Sequence, residues 1–113
     1  MRSRLLRSIR TFFYGLDYTE VDTPVRVASP ALEDYIDATP SGDQWLRTSP
    51  ELHMKRLLAA GYERIFQIGF CFREGEFGNR HRPEFTMLEW YEAKADYRVI
   101  LDQTQSLLRQ VSQ

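Results

Sequence analysis

Two β-rich runs, Arg64 to Phe72 (RIFQIGFCF) and Phe85 to Tyr91 (FTMLEWY), flank the stretch EGEFGNRHR, and no other feature limits the fold of this chain as strongly. Runs so dense in Ile, Phe, Met and Trp form strands, and the turn-rich connection predicts that they pair antiparallel. Alternation across a strand puts Phe66, Ile68, Phe70 and Phe72 on one face and Gln67, Gly69, Cys71 and Arg73 on the other. In the second run Phe85, Met87, Glu89 and Tyr91 share a side, opposite Thr86, Leu88 and Trp90. One face reads as core, the other as small and polar. Where the two polar faces coincide, the hairpin offers a floor with the Arg73 guanidinium at one edge and the Glu89 carboxylate further in, the outline of a small-molecule site. Gly75, Gly78, Arg80, His81 and Arg82 in the connection give close backbone approach and cationic donors suited to polyphosphate, and Phe85 follows as an aromatic surface for a base. Spacing alone leaves a ligand-free, glycine- and charge-rich hairpin equally open. Taken singly, Glu89 reads as an edge-strand charge and Glu51 as an acid on a helix dipole.

The rest of the chain supplies helices. Leu5, Leu6, Ile9, Phe12, Phe13 and Leu16 recur at helical spacing, which predicts an amphipathic helix over 3–16 with Ser3 as its N-cap. Arg2, Arg4, Arg7 and Arg10 on its other face read as solvated, with contact to RNA or a protein partner as the alternative. Gly15 and Asp17 stop that helix, and Tyr18 to Val21 reads as a short strand closed by Pro24. From Val25 to Arg47, with Pro30, Pro40 and Gly42, the pattern is loops with weak strands at Tyr35–Asp37 and Trp45–Leu46. Ser49-Pro50-Glu51 is a helix start, with an N-cap hydroxyl, a proline at the first helical position and an acid in the first turn. That helix is predicted to reach Gly61 with Met54, Leu57 and Leu58 toward the core. From Asp96 onward Val99, Ile100, Leu107, Leu108 and Val111 predict a final helix. The fold class is α+β, an antiparallel sheet with flanking helices, in a single unit over 1–113.

Composition narrows the function. A 42% hydrophobic and 13% aromatic content excludes a disordered chain. With 15 basic and 16 acidic residues no global field draws it to nucleic acid or an anionic membrane, so any charge-based function is local. No apolar run approaches a membrane span or signal-peptide core, which makes the cytoplasm the expected compartment. Cys71, the single cysteine, lies in an apolar run and reads as buried and structural. Neither it nor the well-separated His53 and His81 stands at metal-ligand spacing.

At this point the residues resemble a known family. FCFREGEFGNRHRPEFTMLEWY resembles motif 2 of the class II aminoacyl-tRNA synthetases, in the lysyl branch, and TSPELHMKRLLAAG resembles the segment before it. The first helix and strand, up to Pro24, resemble motif 1, which in that family builds the dimer interface. Motif 1 then covers about 3–24 and motif 2 about 64–93 of one partial catalytic domain, while motif 3, with its second ATP arginine and magnesium-holding acids, is absent. LEWY, the GEFG loop and a chain starting directly at motif 1 resemble the GenX/PoxA group of elongation factor P lysine ligases, which lack an anticodon-binding domain.

The resemblance implies ATP-dependent activation of lysine or β-lysine as an adenylate and transfer to a lysine of elongation factor P. The alternatives are lysyl-tRNA aminoacylation with tRNA-Lys as acceptor, or a non-catalytic truncated paralogue acting as a dimerisation or regulatory module. It implies that Arg73 contacts the α-phosphate of ATP and the carboxylate being activated, with Glu74 and Gly75 in the nucleotide loop. His81 would reach the outer phosphates, Arg82 would lie beside the nucleotide and Phe85 would stack on adenine. Ser49, Pro50 and Glu51 would hold the α-amino end of the substrate, and Glu89 and Tyr91 would face its side-chain ammonium. Magnesium would come with ATP through residues outside this chain, the domain would form a homodimer through motif 1, and the chain alone would be inactive. Two positions depart from the motif: Gly75 stands where a glutamate is usual and Arg82 where an asparagine is usual.

Overall fold

A computed structural model describes residues 2–29, 38–73 and 84–112. The chain runs α1 (Arg2–Gly15), β1 (Thr19–Glu20), β2 (Arg26–Val27), β3 (Thr39–Ser41), β4 (Gln44–Leu46), α2 (Glu51–Ala59), β5 (Arg64–Phe72), β6 (Glu84–Glu92) and α3 (Tyr97–Val111). The predicted hairpin is present: β5 and β6 pair antiparallel from Arg64 opposite Glu92 to Phe72 opposite Glu84. One part of the expectation is corrected. β1 joins the other edge of β5 in parallel, Thr19 beside Ile65, so the main sheet is mixed, in the order β1-β5-β6. A strand of two residues is too short to announce its direction in sequence.

The register puts Phe66 opposite Trp90 and Ile68 opposite Leu88, so these four side chains share a face. They close a core with Ile9, Phe12 and Phe13 of α1, Tyr18, and Leu107 and Val111 of α3. Phe13 is its centre, stacked on Phe66 at 4.8 Å and touching Phe12, Tyr18 and Trp90 within 5.3 Å. Phe70, expected in the core, is exposed. Gln103 of α3 locks the layer with polar bonds: its Nε2 donates to Tyr18 Oη at 2.8 Å and its Oε1 accepts from Trp90 Nε1 at 3.1 Å.

Helix ends refine the sequence expectations. α1 already includes Arg2, so Ser3 is not its N-cap. Pro50 is the N-cap residue of α2 and not its first helical residue, while the Ser49 hydroxyl accepts from Glu51 N at 3.2 Å. α2 ends at Ala59, and Gly61 follows at φ 113, a conformation favourable only to glycine. Asp96 caps α3 by accepting from Arg98 N and Val99 N. Of the apolar residues that predict α3, Leu107 is buried while Leu108 and Val99 are exposed.

The weak-strand region is a second small sheet, β2-β4-β3, with β4 at the Trp45–Leu46 position predicted. The Tyr35–Asp37 piece lies outside the described residues. Gly42, at φ 64, turns β3 into β4, and Pro40 sits on an edge strand where its missing N–H costs no ladder bond. No helix among the described residues is long and apolar enough to cross a membrane.

Candidate functional site

The second face of the hairpin carries the candidate residues. Because Gln67 is opposite Glu89, Gly69 opposite Met87 and Cys71 opposite Phe85, the two polar faces coincide as the site required. α2 packs across this face, touching both β5 and β6, and brings Glu51 over the sheet from its first turn.

Seven of the candidates lie in described residues and form one connected set. The Tyr91 hydroxyl donates to Glu89 Oε2 at 2.7 Å. Burial raises the Glu89 carboxyl above the usual carboxylate range; the Tyr91 bond opposes this, the nearby Glu51 carboxylate adds to it, and Arg73 and Lys55 partly offset it. Burial and the Glu89 carboxylate together push the Tyr91 phenol far up, so it stays a proton donor. Glu51 in the first turn of α2 and Arg73 just after β5 thus both act electrostatically on the Glu89 carboxyl. The Arg73 guanidinium also lies over the Phe85 ring, 5.4 Å from its centroid, so the two residues assigned to one nucleotide are neighbours. Ser49 and Pro50 lead directly into the turn that carries Glu51. Glu74, Gly75, His81 and Arg82 lie outside the described residues.

The sequence did not single out what holds this face in place. Arg47, 3% exposed, directs its guanidinium into the protein, donating from Nε to Phe70 O at 2.8 Å and from Nη1 to Thr23 O at 2.9 Å. Its backbone spans the same junction, accepting from Phe72 N and donating to Val25 O. A Cβ at Gly69 would stand 2.5 Å from Arg47 Nη2 and 3.2 Å from Gln67 Nε2, so only glycine lets this guanidinium lie on the strand. A glycine inside an otherwise bulky strand was the available signal. Gln67, fully buried, accepts from Thr23 N and Thr23 Oγ1, while its Nε2 has no hydrogen-bond partner. Cys71 is free and buried as expected; burial raises its thiol pKa and the adjacent Arg47 offsets part of that rise.

Chemically, the described face offers a guanidinium beside an aromatic ring and two carboxylates on separate elements with a phenol on one. That arrangement suits a ligand with an anionic end near Arg73 and more than one cationic group.

The family model of tRNA synthetases class II (D, K and N) matches residues 1–113. A lysine–tRNA ligase of Teredinibacter turnerae is 40% identical over 119 aligned positions, covering 100% of this chain and 24% of that protein. An elongation factor P–(R)-β-lysine ligase of Haemophilus influenzae is 42% identical over 120 positions, covering 97% of this chain and 37% of that protein. The chain therefore spans well under half the length of these relatives. The match along its whole length means that this chain belongs to the class II tRNA synthetases (D, K and N).

Proposed function

We infer that this chain is the part of a lysine-activating catalytic domain that binds the amino acid and the α-phosphate of ATP. The observation that supports it is the convergence of Arg73, Phe85, Glu51, Glu89 and Tyr91 on one covered sheet face. In the proposed reaction a carboxylate oxygen of lysine or β-lysine attacks the α-phosphorus of ATP and pyrophosphate leaves. Two anions must approach, so a guanidinium shared by both supplies positioning and stabilises the developing charge. No side chain has to transfer a proton. Glu51 and Glu89 select a substrate with two ammonium groups at the right separation, and Tyr91 orients the Glu89 carboxylate.

The acceptor proposed is a lysine of elongation factor P, on the strength of the Leu88–Tyr91 LEWY sequence and the β-lysine ligase relative. The second reading, transfer to tRNA-Lys, is favoured by relatives named lysine–tRNA ligases at similar identity. Radiolabelled lysine or β-lysine supplied with ATP and both acceptors decides between them. Label on elongation factor P is expected; label on tRNA alone would contradict the first reading. Self-association through the α1 region belongs to the same proposal, since Leu5 and Tyr14 on α1 and Leu16 just after it are exposed. Sedimentation should give a dimer.

A further inference from the structure

Lys55 sits one helical turn after Glu51 on α2, and its Nζ lies 2.6 Å from Glu51 Oε1. A helix-surface pair of this spacing is ordinary in itself. Its location is not: the carboxylate it holds overlooks the Glu89–Tyr91 pair, and the Lys55 charge reaches across from α2 to act on Glu89 on β6. Glu51, Lys55, Glu89 and Arg73 thus form one charge cluster.

The lysine-activation reading assigns the substrate's α-ammonium to Glu51, and the Lys55 ammonium already occupies Glu51 Oε1. Lys55 and the substrate's α-ammonium are the same kind of group seeking the same oxygen atoms.

Resting on the lysine-activation reading above, we propose that Lys55 is an internal stand-in for the substrate: its ammonium neutralises Glu51 in the empty site, and the α-ammonium of lysine binds by displacing it. Lys55 then sets substrate affinity. Its four-carbon stem carries the released ammonium out to water, where half of the side chain already lies.

The test is titration of this chain with L-lysine and with 6-aminohexanoate, which keeps the carboxylate and side-chain ammonium but lacks the α-ammonium, followed by NMR chemical shifts. Lys55→Met should tighten lysine about two- to threefold, the effect of freeing one half-exposed pair, and leave 6-aminohexanoate unchanged. Glu51→Gln should abolish the preference for lysine over 6-aminohexanoate. Unchanged or weaker lysine binding in Lys55→Met, with that preference still lost in Glu51→Gln, overturns the displacement and leaves the activation reading standing. Lysine binding that ignores Glu51→Gln, or no lysine binding by the wild-type chain, overturns both.

Discussion

Glu89 and Gln67 face each other across the hairpin, and each is an uncomfortable residue in the folded chain. Glu89 has a carboxyl raised chiefly by burial, so its proton is held more tightly folded than unfolded. Its favourable contribution is therefore present below the ordinary carboxylate value and is lost as pH rises through the raised one. Ionised Glu89 costs stability at neutral pH, and Glu89→Gln should raise Tm there while the difference from wild type fades on acidification. The same variant should lose lysine binding; a Tm no higher than wild type at neutral pH would contradict the burial argument. Gln67 leaves an amide N–H group unpartnered beside a guanidinium, a situation that costs about 1–3 kcal/mol. Gln67→Glu keeps an oxygen for the Thr23 donors and turns the other side-chain atom into an acceptor for Arg47, so urea denaturation should show a gain of about 1 kcal/mol. Gly69→Ala acts the other way. Its methyl meets Arg47 Nη2, and the displaced guanidinium should lower the denaturation midpoint while β5–β6 pairing persists.

At the scale of elements, periodicity made the hairpin, α1, α2 and α3 readable, because two-residue and helical repeats both depend on burial of one face. Phe66, Ile68, Leu88 and Trp90 fall where alternation put them. β1 was readable as a short strand but its parallel pairing was not, and β2 and β3 were not readable as strands, since two or three residues carry no period. The candidate face was half legible. Strand alternation placed Arg73, Phe85, Glu89 and Tyr91 together, and the Ser49–Glu51 helix start placed Glu51 at an N-terminal turn. Nothing local in sequence said that Arg47 and Thr23 would meet on β5, because that contact joins segments 24 residues apart through a buried guanidinium. Gln103 has the same character, tying α3 to Tyr18 and Trp90. Gln103→Ala strands both partners and should cost about 1–3 kcal/mol by urea denaturation, loosening α3 ahead of the hairpin in hydrogen exchange.

For the whole molecule, three layers follow from the hairpin having two unlike faces. α1 and α3 cover the apolar face and make the core. α2 covers the other, where burial is shared between Met54, Ile65 and the charged cluster. Glu20 binds the first layer to the sheet: burial raises its carboxyl, but hydrogen bonds from Arg10 and Tyr14 outweigh this and bring it below the usual range. Its stabilising share is present above the unfolded value and is lost as pH falls through the depressed one. Acid should therefore detach α1 early. The central claim is that the covered face activates lysine, and lysine-dependent exchange of pyrophosphate into ATP tests it most directly. It should be measured on this chain and on the chain joined to the part of the H. influenzae ligase that follows the matched region. Exchange in the joined protein, lowered about a hundredfold or more by Arg73→Ala, is the expected result. Exchange unaffected by Arg73→Ala would contradict the role given to this face, and none in either protein would contradict lysine activation and favour a non-catalytic interaction module.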